Sequence, residues 1–333
     1  MPPKNGLHET LFHRHPSNPI LTSENWPYPC NTVFNAGATL LADGTTVLLC
    51  RIEDRRGHSH FCVARSTNGI DGWDIDTQPT LMPDPEHFSE ERWGIEDPRV
   101  TWVPELQKYA IVYTAYSEAG PSVALAFTED FKTFERRGEI MPPENKDAAL
   151  LPRRIGGNWA LIHRPVSSTG IGAHVWISYS PDLRHWGSHR IILRARQGPW
   201  WDANKIGLSP PPIETKLGWM VIYHGVRHTP AGCIYRLGVA LLDLHSPEKC
   251  LRRGETWVFG PEEVYEREGD VGNVVFPCGY TVHDDGDTIH LYYGAADTCI
   301  ALATCSIHEL LDWLERNGTS DNDVTYPGLF MSS

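Results

Sequence analysis

Val221-Ile222-Tyr223-His224 is an apolar run that ends on a polar side chain, and four more like it stand along the chain: Leu48-Leu49-Cys50-Arg51, Ile111-Val112-Tyr113-Thr114, Leu161-Ile162-His163-Arg164 and Leu291-Tyr292-Tyr293-Gly294. Each is followed by a strand of smaller residues: Ala64-Arg65-Ser66, Ala126-Phe127-Thr128, Ser178-Tyr179-Ser180, Ala240-Leu241-Leu242 and Ala303-Thr304-Cys305. These second strands are spaced 62, 52, 62 and 63 residues apart, and a period of that length in a strand-rich chain means blades around an axis. Ahead of each pair lies a segment with polar or glycine residues: Phe34 to Gly37, Ile95 to Arg99, Ala149 to Arg153, Lys205 to Ser209 and Val275 to Gly279. Turn signals such as Asp43-Gly44, Gly156-Gly157-Asn158 and Asp284-Asp285-Gly286-Asp287 separate the runs. The pattern predicts an all-β fold, a five-bladed β-propeller occupying 1–333 as a single domain. Residues 1–25 lack periodicity and read as a strap that closes the ring or meets a neighbouring subunit. Residues 306–318 read as a C-terminal helix, opened by a capping box of Ser306 and Glu309.

The net charge of −13 argues against nucleic acid or an anionic membrane as a partner, so any anion must meet a local basic pocket. Met1-Pro2-Pro3-Lys4-Asn5 is polar with no apolar run behind it, and no stretch approaches the length that spans a bilayer, so the expectation is a cytoplasmic protein. Eight cysteines are scattered without any C-x-x-C pair, which favours free thiols over disulfides or zinc. Dispersed histidines such as His13, His15 and His58 form no metal-ligand pattern, and no metal or cofactor is expected.

Inner strands of a propeller converge on the axis, so polar residues at equivalent positions meet in one funnel. The residues so gathered are Asn35, Arg51, Glu53, Asp54, Glu96, Asp97, Arg99, Arg153, Arg164, Lys205, His224 and Asp297. The carboxylates come mostly from blades one, two and five, whereas Arg153, Arg164, Lys205 and His224 come from blades three and four. Forked guanidinium donors with added point charges are what a phosphate requires, and no Gly-rich nucleotide loop accompanies them. In Gly94-Ile95-Glu96-Asp97-Pro98-Arg99, strand alternation predicts that Glu96 and Asp97 do not both reach the axis, and Pro98 predicts an extended Asp97.

These segments, with Asn31 to Asn35, His163-Arg164-Pro165, Asn204 to Gly207, Tyr223 to Val226, Gly272 to Cys278 and Tyr292 to Thr298, closely resemble glycoside hydrolase family 130, the β-mannoside phosphorylases and related β-mannosidases. The resemblance runs from about Asn18 to Leu314. It implies that Asp97 is the general acid, passing its proton through the 3-hydroxyl of the mannosyl unit to the glycosidic oxygen. Inorganic phosphate, as co-substrate, would attack the anomeric carbon from the opposite face and give α-D-mannose 1-phosphate. By the same resemblance Arg153, Arg164, Lys205, His224 and Tyr235 hold phosphate, and Asn35, Arg51, Asp54, Arg99 and Asp297 hold the mannosyl unit. Linkage and acceptor, whether β-1,4 or β-1,2 and onto mannose, glucose or N-acetylglucosamine, stay open, as does self-association into a homo-oligomer.

Three alternatives compete. A β-mannosidase would need a base from Glu53, Asp54 or Asp202 to activate water. A non-catalytic sugar-binding propeller would use Trp200-Trp201 as a stacking platform. An arabinan or fructan hydrolase fits the polar positions less well. The cationic set favours phosphorolysis, because phosphate arrives anionic and needs cations to hold it.

Overall fold

The computed structural model describes residues 9–166, 172–230 and 232–320. Five antiparallel sheets follow one another in chain order. Blade one is Thr32–Leu40, Thr46–Glu53, Ser59–Ser66 and Asp74–Ile75. Blade two is Ile95–Val103, Lys108–Ser117, Gly120–Thr128 and Glu135–Met141. Blade three is Asn145–Leu150, Trp159–Pro165, Val175–Ser180 and Gly187–Leu193. Blade four runs from Lys205–Leu208 and Ile213–Thr215 through Gly218–Thr229 and Gly232–Leu242 to Cys250–Gly254. Blade five is Val275–Val282, Thr288–Ala295 and Cys299–Ser306.

The second strands read as unbroken apolar runs because both faces of each blade are buried against neighbours. Leu49 packs with Ile111 and Tyr113 of blade two, while Leu48 and Cys50 pack with Tyr292 and Ile300 of blade five. The same division recurs around the ring: Val112 joins Leu161, Ile162 joins Val221, and Ile222 joins Leu291. Five apolar seams, one per pair of adjacent blades, therefore hold the ring.

The ring closes between chain ends. His13–Arg14 pairs antiparallel with Ala303–Thr304 as the fourth strand of blade five. Arg14 anchors this strap, with Nε and Nη2 each 2.8 Å from the buried Glu266 carboxylate and Nη2 donating to the Gly260 carbonyl at 2.6 Å. Of the 1–25 segment, residues 1–8 lie outside the described residues.

Helix Ile307–Asn317 follows blade five, with the Ser306 hydroxyl accepting from the Glu309 amide at 3.1 Å. Asp287, in the preceding hairpin, rather than Glu309 completes the helix start: its carboxylate accepts from the Ser306 hydroxyl at 2.6 Å and the His308 amide at 2.8 Å. Leu310, Trp313 and Leu314, at helical spacing, are buried in the seam between blades four and five, so the helix covers both blades.

Candidate functional site

The inner strands of blades one, two and three carry the same irregularity. Register shifts lie between Phe34 and Gly37, Glu96 and Arg99, and Lys146 and Ala149. At its centre each has a residue in the left-handed region: Asn35 at φ 45°, Asp97 at 52° and Asp147 at 54°. Such bulges bend a strand and re-aim its side chains, at a cost that the surrounding structure must cover. Here they bring Asn35 against Asp97 and aim Asp147 at Arg164 and His224.

The bulge corrects two expectations. Glu96 and Asp97 do face one site, because Arg51 Nη2 lies 3.1 Å from Glu96 Oε1 and Nη1 lies 3.0 Å from Asp97 Oδ1. The extra residue breaks the alternation that a regular strand would impose. Asp97 is likewise left-handed and not extended, despite preceding Pro98.

The acid side is built around Arg51, which also reaches Glu53 at 3.3 Å and lies with its guanidinium carbon 4.4 Å from the Phe34 ring centroid. Asn35 donates to Asp97 Oδ1 at 2.9 Å, and its own Oδ1 has no hydrogen-bond partner among the described residues. Gly294 leaves room for it, since a Cβ there would collide with the Asn35 amide oxygen. Burial alone would raise the Asp97 pKa, but Arg51, Lys146 and Arg99, with the Asn35 hydrogen bond, outweigh it and hold the carboxyl below its usual value. Asp297, left-handed at φ 49°, goes the other way: burial, aided by the Asp97 and Glu96 charges, pushes it up to about 6 against the pull of Arg51.

The cationic side surrounds Asp147. This wholly buried carboxylate accepts from Arg164 Nε at 2.7 Å and lies 3.4 Å from His224 Nε2 and 3.6 Å from Arg99 Nη2. Burial would raise its pKa, but Arg164, His224 and Arg99 hold it well below the carboxylate range. Burial lowers His224 to about 4, so its ring is neutral at pH 7. Its Nδ1 lies 3.2 Å from the Ser209 hydroxyl. Lys205 has no carboxylate within ion-pair distance among the described residues; burial and then Arg164 lower its pKa. Its ammonium lies 5.5 Å from the Tyr235 ring centroid, and burial raises the Tyr235 phenol to about 12. Arg164, Lys205 and Lys146 thus gather around one carboxylate, a surplus of positive charge inside a chain of net charge −13. That surplus suits a multivalent oxyanion.

Lys146 was absent from the residues picked out by sequence. Its Nζ stands 3.9 Å from Asp97 Oδ2 and 4.0 Å from Glu96 Oε2, at the boundary of the two sides. Burial lowers its pKa, while Asp97, Glu96 and Asp147 more than reverse this and leave it raised.

Several expected residues sit elsewhere. Arg153 follows the far end of its strand and pairs with Glu214, Nη2 to Oε1 2.8 Å, with its guanidinium over Trp219 at 5.0 Å. It lies at the opposite end of the axis from Lys205 and does not join the anion pocket. Arg99 is 1 % exposed, and its guanidinium donates to the carbonyls of Ser209, Asp97 and Leu208 at 2.8, 2.9 and 3.0 Å. It ties blade two to blade four and, being buried, is not presented to a sugar. Both Asp54 oxygens are taken in its hairpin, by the amides of Arg56 and His58 and by the Arg56 guanidinium. Asp202 is wholly buried, with Oδ2 held by Arg196 and Arg253, each at 2.8 Å, and by the Tyr223 hydroxyl at 3.1 Å; Oδ1 has no hydrogen-bond partner among the described residues, and it is burial that keeps this carboxylate from water. Trp201 is core, stacked on Tyr223 with centroids 5.6 Å apart; only Trp200 of that pair is exposed. Among the described residues no three His, Cys, Asp or Glu side chains cluster as a metal site, and no helix is long and apolar enough to cross a membrane.

A family model described as β-1,4-mannooligosaccharide phosphorylase matches residues 12–316. The chain is 39% identical over 257 residues to a β-1,2-mannobiose phosphorylase of Listeria innocua, covering 77% of this chain and 69% of that protein. It is 32% identical over 316 residues to a β-1,4-mannooligosaccharide phosphorylase of Ruminococcus albus, covering 93% and 92%. A solved structure of the β-1,2-mannobiose phosphorylase from Listeria innocua with β-1,2-mannobiose superposes with a TM-score of 0.83 at 31% identity, covering 92% of this chain and 99% of that one.

Proposed function

This chain belongs to glycoside hydrolase family 130, and on that footing we propose that it is an inverting β-mannoside phosphorylase that uses inorganic phosphate to release α-D-mannose 1-phosphate. The observation that carries this reading is the surplus of cations at Lys146, Arg164 and Lys205 beside the Asp97 carboxyl. Phosphate held by these cations would attack the face of the sugar away from the leaving oxygen, as inversion requires. The bond from the anomeric carbon to the glycosidic oxygen breaks with its electron pair on oxygen, which takes the proton supplied by Asp97. A phosphate oxygen forms the new bond to the anomeric carbon, and Asp97 is left as carboxylate to be reprotonated from solvent.

Asn35, Arg51 and Asp297 hold the mannosyl unit in this reading. The unpartnered Asn35 oxygen and the partly protonated Asp297 carboxyl offer acceptors and a donor for its hydroxyls. Phosphorolysis is supported over hydrolysis because both oxygens of Asp54 are engaged, Asp202 is wholly buried against two arginines, and Glu53 shares Arg51 with the acid. No cofactor enters the scheme. Eight cysteines scattered without any C-x-x-C pair suit a reducing compartment and support a cytoplasmic enzyme.

The stereochemical course tests the assignment. Proton NMR of a fresh digest of a β-mannobiose with phosphate is expected to show the α anomer of mannose 1-phosphate as the first product. The β anomer would overturn the inverting scheme.

A further inference from the structure

We propose that Lys146 couples the two halves of the site: its ammonium group leans on the Asp97 carboxylate while the anion pocket is empty, and bound phosphate draws it away, so that Asp97 takes up the proton needed by the leaving oxygen. This rests on the phosphorylase reading above and adds an order of events to it.

The geometry of Lys146 differs from that of the funnel arginines. Arg51 and Arg164 grip their carboxylates at 3.0 and 2.7 Å, and Arg99 is fixed by three carbonyls. Lys146 stands 3.9 Å from Asp97 and 4.0 Å from Glu96, beyond hydrogen-bond length, held by charge alone on a four-carbon stem. It lies within the field of the anion pocket as well. Its strand neighbour is Asp147, its cross-strand partner is Arg164, and its charge is felt by Lys205 and Tyr235 of blade four and by Asp297 of blade five. A short swing exchanges one set of neighbours for the other.

The exchange answers a problem set by the resting site. A general acid must carry its proton before the bond breaks, yet Asp97 faces Arg51 from blade one, Arg99 from its own strand and Lys146 from blade three, with the Asn35 amide also donating to it. Glu96 and Asp297 supply the opposing charges, and the Cys278 thiol, its pKa raised by burial, stays neutral. Arg51 and Arg99 are fixed by their other bonds; Lys146 is the cation free to move. A phosphate dianion in the pocket adds negative charge near Asp97 and takes away a positive one. A unit charge ~6 Å off, at an effective dielectric of ~20, moves a carboxyl pKa by roughly 2. The proton that Asp97 takes from solvent goes to the leaving oxygen, and the proton of monohydrogen phosphate stays on the sugar phosphate. When product departs, Lys146 returns and Asp97 rests as carboxylate. Without phosphate the acid is unloaded, so water that enters the funnel meets no proton donor and the mannoside survives.

Sulfate, a dianion with no proton to exchange near neutral pH, separates uptake by the protein from titration of the ligand. Calorimetric titration at pH 7, in two buffers of different ionisation enthalpy, is expected to show roughly one proton taken up per sulfate bound. Uptake should vanish in Asp97→Asn and persist in Asp297→Asn. Lys146→Met should bind more weakly with less uptake, whereas Lys205→Ala should bind more weakly with uptake per sulfate unchanged. Failure of sulfate to bind, binding without uptake, or uptake that survives in Asp97→Asn and disappears in Asp297→Asn would each overturn the coupling. The phosphorylase reading is judged separately, by formation of mannose 1-phosphate.

Discussion

Replacing Arg99 by methionine should destabilise the ring and slow the enzyme without altering its affinity for the mannoside. The guanidinium makes three hydrogen bonds to carbonyls and is 1 % exposed. A hydrogen bond from a charged donor is worth about 1.5–3 kcal/mol, so the three amount to about 4.5–9 kcal/mol, from which several kcal/mol of desolvation must be subtracted. Methionine fills the space of the stem but leaves the Asp97, Leu208 and Ser209 carbonyls without donors, for a net loss of about 3–5 kcal/mol. For a chain of 333 residues the unfolding entropy is about 0.7 kcal/mol per degree, so Tm should fall by about 4–7 °C. Because Arg99 Nη1 pins the carbonyl of the left-handed Asp97, kcat should drop about tenfold through misplacement of the acid. Thermal melts at one scan rate and steady-state kinetics in both substrates measure the two effects. An unchanged Tm with a raised KM for the mannoside would refute the reasoning and restore Arg99 as a sugar ligand.

Lys205→Ala should raise KM for phosphate at least about tenfold by removing a half-buried cation from the pocket, whereas Arg153→Ala, at the far end of the axis, should leave it within about twofold. Equal effects in phosphate-dependence curves would contradict the placement of Arg153. Gly207→Ala would put a Cβ 2.6 Å from His224 Cε1 and against the Asp147 carboxylate, so phosphate use should fall and stability drop by about 1–3 kcal/mol, read by kinetics and denaturant melts. Burial holds His60, His224 and His290 at about 4 and His163 at about 3, against an ordinary value of 6.5. Below pH 6.5 the unfolded chain binds protons that these folded histidines refuse, so stability should fall from pH 6.5 towards 4, offset in part as the Asp297 carboxyl becomes neutral below about 6. Melting curves across that range should show Tm falling; a flat or rising Tm would contradict the buried neutral histidines.

The five blades were legible because each second strand is buried on both faces and so reads as an apolar run, repeated at a steady interval. Asp97, Arg164, Lys205, Tyr235, Asn35, Arg51 and Asp297 stand out as candidates because they lie at equivalent places in that repeat or in family segments. The bulge was not legible, since an extra residue leaves the apolar pattern intact while shifting the register beneath it. Blade three suffered most: reading Ala149 to Arg153 as its axial segment passed over Lys146 and Asp147 and recruited Arg153 from the wrong end of the strand. A signal was there, because Asn35, Asp97 and Asp147 lie 62 and 50 residues apart, close to the first two blade spacings of 62 and 52. Arg99, Asp54 and Asp202 show a different limit. Their residue types suit a sugar site or a base, but Arg99 is buried against carbonyls, Asp54 is held in a turn and Asp202 is buried in an ion-pair cluster, and only coordinates reveal that.

The central claim is that phosphate, held by the cations near Asp97, is the nucleophile. Incubating the pure protein with β-1,2-mannobiose, β-1,4-mannobiose and mannosyl-glucose, each with and without inorganic phosphate, tests it most directly. Mannose 1-phosphate formed only with phosphate, and abolished in Asp97→Asn, is the predicted result. Free mannose released equally in both conditions would contradict the account and make the cationic cluster something other than a phosphate site.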